Sequence, residues 1–254
     1  MTALERMRDI LFAPKAVCMG CRTVKGADEG WLCAKCYASL QPLEIRKQHK
    51  DVLCLQCGEA VIGERCPKCL KKTEKIIALS AYEYITPIDR IIHAFKYSGA
   101  YKIGEWMAGE MVRPLKAEAE FTGFVITFVP MHFTRRLARG YNQSEVLARK
   151  LSEKTNLPVQ GLLERRRYTI KQARLSGEKR RRNLTGAIYA KGEMTGKRVI
   201  LIDDVRTTGA TASECARALR NAGAAEVVVL TFSRALGGRA RTKWRTRREK
   251  TPRQ

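Results

Sequence analysis

Two groups of residues in this chain have types and spacings that could do chemistry. The first is a set of four Cys-x-x-Cys pairs: Cys18/Cys21, Cys33/Cys36, Cys54/Cys57 and Cys66/Cys69, which hold eight of the nine cysteines. The two-residue spacer lets two thiolates reach one ion from a tight turn. Two such pairs complete a tetrahedral four-thiolate site of the kind Zn²⁺ prefers, and four pairs make two of them. A redox dithiol usually occurs once, at the start of a helix, so the repetition speaks for metal. Four thiolates can also hold an iron–sulfur cluster. Pairing the first knuckle with the second and the third with the fourth is the simplest scheme, and a cross-braced arrangement is the alternative. With no ligand position left open, two such zinc sites are structural. Cys215 lies on the apolar face of an expected helix and reads as a small buried hydrophobe.

The second group is the segment Arg198-Val-Ile-Leu-Ile-Asp-Asp-Val-Arg-Thr-Thr-Gly-Ala-Thr211. Here an apolar run ends at two adjacent carboxylates, Asp203 and Asp204, passes through a Thr/Gly loop and enters a helical pattern. Gly209 permits a tight turn that brings backbone N–H groups close to a ligand. A helix starting near Thr207 would aim the positive end of its dipole at the same place, which favours phosphate. Thr207, Thr208 and Thr211 add hydroxyl donors. Carboxylates do not bind phosphate, but they accept hydrogen bonds from vicinal hydroxyls or organise Mg²⁺ through water. Paired acids beside an anion cradle suit a sugar phosphate.

These groups need elements to position them. Ile76–Tyr84, Phe124–Val129, Val199–Ile202 and Glu226–Phe232 are short, apolar and rich in β-branched residues, and read as buried strands. Helices are expected over Ile88–Phe95, Tyr101–Leu115 (broken near its end by Pro114), Asn142–Glu153 with Asn142 as N-cap, and Thr207–Asn221 closed by Gly223. Strands alternating with helices predict an α/β fold, a parallel sheet with helices on both faces. The ligand site of such a sheet lies at the carboxyl ends of its strands, where Asp203 and Asp204 fall. The cysteine density drops near residue 75, which predicts a metal-binding module over 1–74 and an α/β domain over 75–233. Residues 234–254 are strongly basic and poor in apolar side chains, so a disordered tail is expected there.

The 254 residues are 44% apolar, which allows a packed core, and carry 49 basic against 25 acidic residues for a net charge of +24. So large an imbalance implies a polyanionic partner, either nucleic acid or a phosphorylated small molecule. Residues 165–182 hold nine basic side chains against Glu178 alone. The charged stretch Met1–Ile10 does not read as a secretory signal, and no apolar run reaches membrane-spanning length. A cytoplasmic protein is expected, where disulfides are disfavoured and the cysteines call for metal. His49, His93 and His132 are isolated and carry no catalytic assignment.

The segment Val199–Thr211 resembles the diphosphoribosyl-phosphate (PRPP) signature of type I phosphoribosyltransferases. Three further segments resemble the ComF family of competence proteins, which joins cysteine knuckles to such a domain and is linked to DNA uptake. They are Val129-Pro-Met-His-Phe-Thr-Arg-Arg-Leu-Ala-Arg-Gly-Tyr-Asn-Gln143, Arg167-Tyr-Thr-x-x-Gln172 followed by Leu175, Arg180 and Asn183, and Phe95-Lys-Tyr-x-Gly99. The resemblance covers the chain to about residue 234. It implies a type I phosphoribosyltransferase-like sheet preceded by a double zinc ribbon. Asp203 and Asp204 would hold the ribose hydroxyls and serve any catalysis, with Mg²⁺ accompanying PRPP. Val205, Arg206, Thr207, Thr208, Gly209, Ala210 and Thr211 would form the 5′-phosphate loop, in which Arg206 could add to phosphate binding. The turn at Pro130 and Met131, assisted by Arg135, Arg136 and Arg139, would take pyrophosphate.

Three functions follow from these readings. One is a ComF-like protein that binds PRPP and handles single-stranded DNA during uptake, together with competence-machinery proteins. Another is an active transferase moving ribose 5-phosphate to an acceptor. The third, a PRPP-responsive transcription regulator, lacks a helix-turn-helix segment. No hood for a particular nucleobase is identifiable, and the basic charge favours nucleic acid.

Overall fold

A computed structural model describes residues 17–25, 30–40, 50–61, 65–69, 74–97, 101–118, 121–165 and 186–235. Its centre is a sheet of five strands in the order β1-β2-β7-β6-β3: Lys50–Cys54 (β1), Lys75–Glu83 (β2), Glu226–Arg234 (β7), Arg198–Arg206 (β6) and Phe124–Phe128 (β3). Strands β2, β7, β6 and β3 run parallel, and β1 joins the edge antiparallel to β2. A separate antiparallel pair is formed by Leu163–Arg165 (β4) and Ile188–Ala190 (β5).

The strands are apolar on both sides because both faces are covered. On one face Leu79, Ile126, Ile200, Ile202, Val228, Leu230 and Phe232 pack against Ile88–Tyr97 (α2), Ile103–Glu118 (α3) and Gln143–Thr155 (α5). On the other, Ile76, Ala78, Val199, Leu201, Val227 and Val229 meet Ala210–Asn221 (α6) and the β4–β5 pair. Side chains therefore switch faces residue by residue along β6 and β7, as strand geometry requires. This is the parallel sheet with helices on both faces expected from the sequence.

Three expectations need correction. Helix α3 continues past Pro114 to Glu118. A proline inside a helix costs about 3 kcal/mol, but Met111 and Leu115 on either side of it are fully packed into the core. Their burial holds the last turn in place. The helix after the phosphate loop begins at Ala210 rather than Thr207, because β6 runs on through both aspartates to Arg206. The loop is correspondingly short. Asn142 does cap α5, its side chain accepting from the Ser144 N–H; the C-cap of α6 is Ala222 rather than Gly223, which follows it with φ +100°. Cys215 is completely buried among Leu201, Ala216 and Leu219.

The segment before residue 75 also contributes Ala34–Ala38 (α1), whose N-cap is Cys33. The remaining helix, Phe133–Arg139 (α4), has no counterpart in the sequence reading. Its polar pattern gave too little periodicity, and Phe133 and Leu137 on it are 65% and 78% exposed. Residues 166–185 and the tail from 236 lie outside the described residues, and with them the Arg167–Asn183 segment and most of the expected basic tail.

Candidate functional site

Asp203 and Asp204 occupy the carboxyl-terminal part of β6, beside Thr231 and Ser233 of β7. Asp203 Oδ1 accepts hydrogen bonds from Ser144 Oγ and from the Asp204 N–H, each at 2.9 Å. Asp204 Oδ2 lies 2.8 Å from Lys96 Nζ, and the two side chains are only 10% and 23% exposed. Burial, and then the adjoining Asp204 charge, push the Asp203 carboxyl up to about 7, while Lys96 and the Ser144 hydroxyl work in the opposite direction. Burial alone would lower the Lys96 ammonium, but the carboxylate of Asp204 outweighs it and raises the group above its ordinary value. The pair thus divides into one carboxyl that titrates near neutrality and one held by an ammonium ion.

The loop beyond is Thr207, Thr208 and Gly209, of which the two threonines are exposed. Gly209 has φ +74° and is the N-cap of α6, to which it brings no side-chain hydrogen bond. A left-handed φ is the reason glycine stands there. The first-turn N–H groups of α6 and the Thr207, Thr208 and Thr211 hydroxyls are thus gathered within one short stretch after the acids. Such a helix start favours an anion.

Arg206 is a correction. Its guanidinium is paired with Asp51 of β1, its side chain is 8% exposed, and Arg234 of β7 pairs with the same carboxylate. The side chain points to the sheet edge because alternation along β6 sends residue 206 to the opposite face from Val205. It serves as an anchor for β1 and is not free to meet a phosphate.

The Pro130–Met131 turn follows β3 directly. Phe128 pairs with Ile202, and the Val129 N–H donates to the Ile202 carbonyl at 3.0 Å, so Pro130 and Met131 lie next to the acids at the ends of neighbouring strands. Asn142 Nδ2 donates to the Val129 carbonyl at 3.0 Å, tying this turn to the start of α5. Arg139 Nη2 donates to Tyr97 Oη at 2.9 Å and Nη1 to Gln143 Oε1 at 3.2 Å, with the guanidinium over the Tyr97 ring. Of Arg135 only the backbone, within α4, is described. The structure brings Asp203, Asp204, the Thr207–Thr211 loop and the Pro130–Met131 turn together at one end of the sheet.

Lys96 and Ser144 were missed as site residues. Lys96 sits inside the quoted Phe95-Lys-Tyr segment, whose lysine could have been asked for an anionic partner. Ser144 offered no signal, because its role depends on where the start of α5 falls.

The cysteines fall into two groups, Cys18/Cys21/Cys33/Cys36 and Cys54/Cys57/Cys66/Cys69, each with its sulfurs within 4.8 Å of one another. The pairing is sequential, not cross-braced. A tetrahedron with zinc–sulfur bonds of about 2.3 Å has sulfurs about 3.8 Å apart. Cys21 Sγ and Cys33 Sγ are separated by 3.8 Å, and Cys57 Sγ and Cys66 Sγ by 3.6 Å. Backbone N–H groups of Gly20 and Cys33 point at Cys18 Sγ at 3.3 Å, and that of Cys69 points at Cys66 Sγ at 3.4 Å. Such donors stabilise thiolates. Both groups could hold a zinc ion.

A parallel sheet with its acid pair and phosphate loop at the carboxyl end of a central strand defines a phosphoribosyltransferase-like protein, and residues 137–248 match the phosphoribosyl transferase domain family. The chain is 29% identical over 86% of its length to competence protein F of Haemophilus influenzae, covering 96% of that protein. It is 28% identical over 87% of its length to DNA utilization protein YhgH of Escherichia coli O157:H7, covering 97% of it. A solved structure of the allosteric regulatory enzyme of purine biosynthesis matches 50% of the chain at 27% identity and a TM-score of 0.34; the chain spans 25% of that enzyme. Over most of its length the chain is thus similar to competence and DNA utilization proteins, and it carries a phosphoribosyl transferase domain together with two groups of four cysteines.

Proposed function

We propose that this chain binds PRPP, accompanied by Mg²⁺, and acts in the cytoplasm in the uptake or handling of single-stranded DNA. The observation that carries the PRPP reading is the pair Asp203/Asp204, fixed by Ser144 and Lys96 beside the glycine-capped start of α6. Asp203 and Asp204 would accept the ribose hydroxyls and hold the water shell of Mg²⁺, which would offset phosphate charge when bound. The α6 amides with Thr207, Thr208 and Thr211 would take the 5′-phosphate, and the Pro130–Met131 turn the pyrophosphate. Lys96 holds the Asp204 carboxylate in place at 2.8 Å.

The reading divides the chain into a metal-holding part (1–74), the PRPP-binding part (75–233) and a basic tail (234–254). Zn²⁺ is the ion that the two sets of four thiolates suit, in a structural role. The DNA setting rests on the relatives' names, competence protein and DNA utilization protein, and on the net charge of +24. Among the described residues no helix is long and apolar enough to cross a membrane.

The test is thermal unfolding with and without PRPP and Mg²⁺. Ligand at about 100 times its dissociation constant should stabilise the protein by about 2.7 kcal/mol. Asp203→Asn/Asp204→Asn should abolish that shift while leaving the fold intact, and an unchanged shift would sink the site assignment. Single-stranded DNA affinity should fall steeply with salt if the basic surface holds phosphates. A salt-independent affinity would remove the DNA reading.

A further inference from the structure

Gly58 follows the thiol Cys57 of the second cluster and has φ +77°. A Cβ on Gly58 would lie 2.3 Å from the Gly209 carbonyl carbon, 2.4 Å from its oxygen and 2.8 Å from the Ala210 nitrogen. Conversely, a Cβ on Gly209 would lie 2.3 Å from the Gly58 carbonyl oxygen. The knuckle and the phosphate loop therefore touch backbone to backbone, with no room for a side chain on either.

Two more ties join the same segments. Ser213, one turn into α6, donates its hydroxyl to the carbonyl of Cys54 at 3.0 Å, and its N–H donates to the Gly209 carbonyl at 2.9 Å. Asp51, just before that knuckle, holds Arg206, just before the loop. Within the knuckle, the Gly58 N–H donates to the Cys54 carbonyl at 2.8 Å, so the turn that presents Gly58 is the turn that presents the thiols.

We propose that the second cluster positions the phosphate loop through Gly58, so that metal at Cys54, Cys57, Cys66 and Cys69 and PRPP at the loop bind cooperatively. This inference rests on the PRPP reading above. An ion held by four thiolates fixes the knuckle turn, and the fixed turn is the wall against which Gly209 and the first amides of α6 are held. Without the ion the wall loosens and the amides lose their alignment. The coupling is reciprocal, because a ligand that favours the ordered loop also favours the ordered knuckle.

The first arm compares Gly58→Ala with Gly192→Ala by calorimetric titration with PRPP and Mg²⁺. Gly192 has φ +84° but nothing within 4 Å of a Cβ, so it carries the same backbone penalty without the contact. Gly58→Ala should weaken PRPP binding about tenfold or more, within the usual range of coupling between sites, and Gly192→Ala should leave it unchanged. The second arm uses the wild-type protein alone. It is challenged, with Mg²⁺ kept in excess, with a zinc-selective chelator that spares Mg²⁺ and with iodoacetamide, and alkylation is followed peptide by peptide. PRPP should slow modification of Cys57 and Cys66 and leave Cys21 and Cys33 unaffected. Equal PRPP affinity in a folded Gly58→Ala protein, or equal protection of both clusters or of neither, overturns the inference. Failure of the wild type to bind PRPP removes the phosphate-site reading itself, a result distinct from these.

Discussion

The two cysteine clusters offer the same four thiolates each but are embedded differently. The first is set into the main core: Cys18 and Leu32 pack with Ile88, Ile91 and Phe95, and Arg90 Nη1 of α2 donates to the Gly20 carbonyl at 2.9 Å. Its route to the acid pair runs along α2 to Lys96. The second has a small core of its own, Cys54, Cys57, Val61 and Cys66, and reaches the phosphate loop by direct backbone contact. The same set of four thiols is thus placed against two different surfaces, one a helix and the other a loop. What distinguishes them is the partner surface, which ligand spacing does not encode.

The sharpest way to break this comparison is to disable one cluster at a time. Cys21→Ser and Cys66→Ser should each lose one metal ion and lower the melting temperature by many degrees, since structural zinc contributes on the order of 10 kcal/mol in small metal-dependent folds. Only Cys66→Ser should also lose PRPP affinity at a temperature where both proteins remain folded. Equal losses would mean that the clusters are interchangeable braces.

Asp51→Asn comes next. It leaves Arg206 and Arg234 buried without their common counter-charge, and breaking a buried pair in this way costs about 3–5 kcal/mol. Denaturant unfolding should register that loss, and a value under about 1 kcal/mol would place the pair among surface-type bridges.

On the first cluster's side, Lys96→Met should cost less, because it removes a single ion pair and leaves the backbone of the acid pair in place. PRPP affinity measured by calorimetric titration should fall several-fold. An unchanged affinity would separate Lys96 from the acid pair.

The pH dependence set by Asp203 gives a further check. Its carboxyl is raised in the folded state, so its contribution to stability is complete below about pH 4 and is lost as pH rises toward about 7. The unliganded wild type should therefore lose stability relative to Asp203→Asn over that interval. PRPP binding, which uses the ionised form, should release a proton near pH 6. Calorimetry in buffers of different ionisation enthalpy would detect it, and no buffer dependence would contradict the assignment.

Much of this was legible in the sequence, for identifiable reasons. The strands of a sheet covered on both faces are apolar throughout, so β2, β3, β6 and β7 announced themselves. The cysteine spacing pointed to the two groups of four thiols, and the apolar run before Asp203 and Asp204 put both acids at the carboxyl end of a central strand. Other features were not legible because they depend on distant partners. Arg206 looked like a phosphate ligand until Asp51, far away in the chain, was seen to claim it. Gly58 looked like an ordinary turn glycine, and only its contact with Gly209 gives it a further meaning. Strand β1 was hidden because it is short, ends in the first cysteine of a knuckle, and has its apolar run broken by Lys50 and Asp51.

The sheet order also governs when these parts can come together. Strand β2 lies between β1 and β7, so Ile77 is paired with Val52 on one side and Val228 on the other. The second pairing spans most of the chain, and contacts so distant in sequence are slow to form. During synthesis, residues 50–83 emerge long before β7 and α6 exist to receive them. The knuckle of the second cluster gains Ser213 and Gly209 only then. Its final shape and that of the phosphate loop therefore belong to one late assembly event, while the first cluster can settle on α2 much earlier.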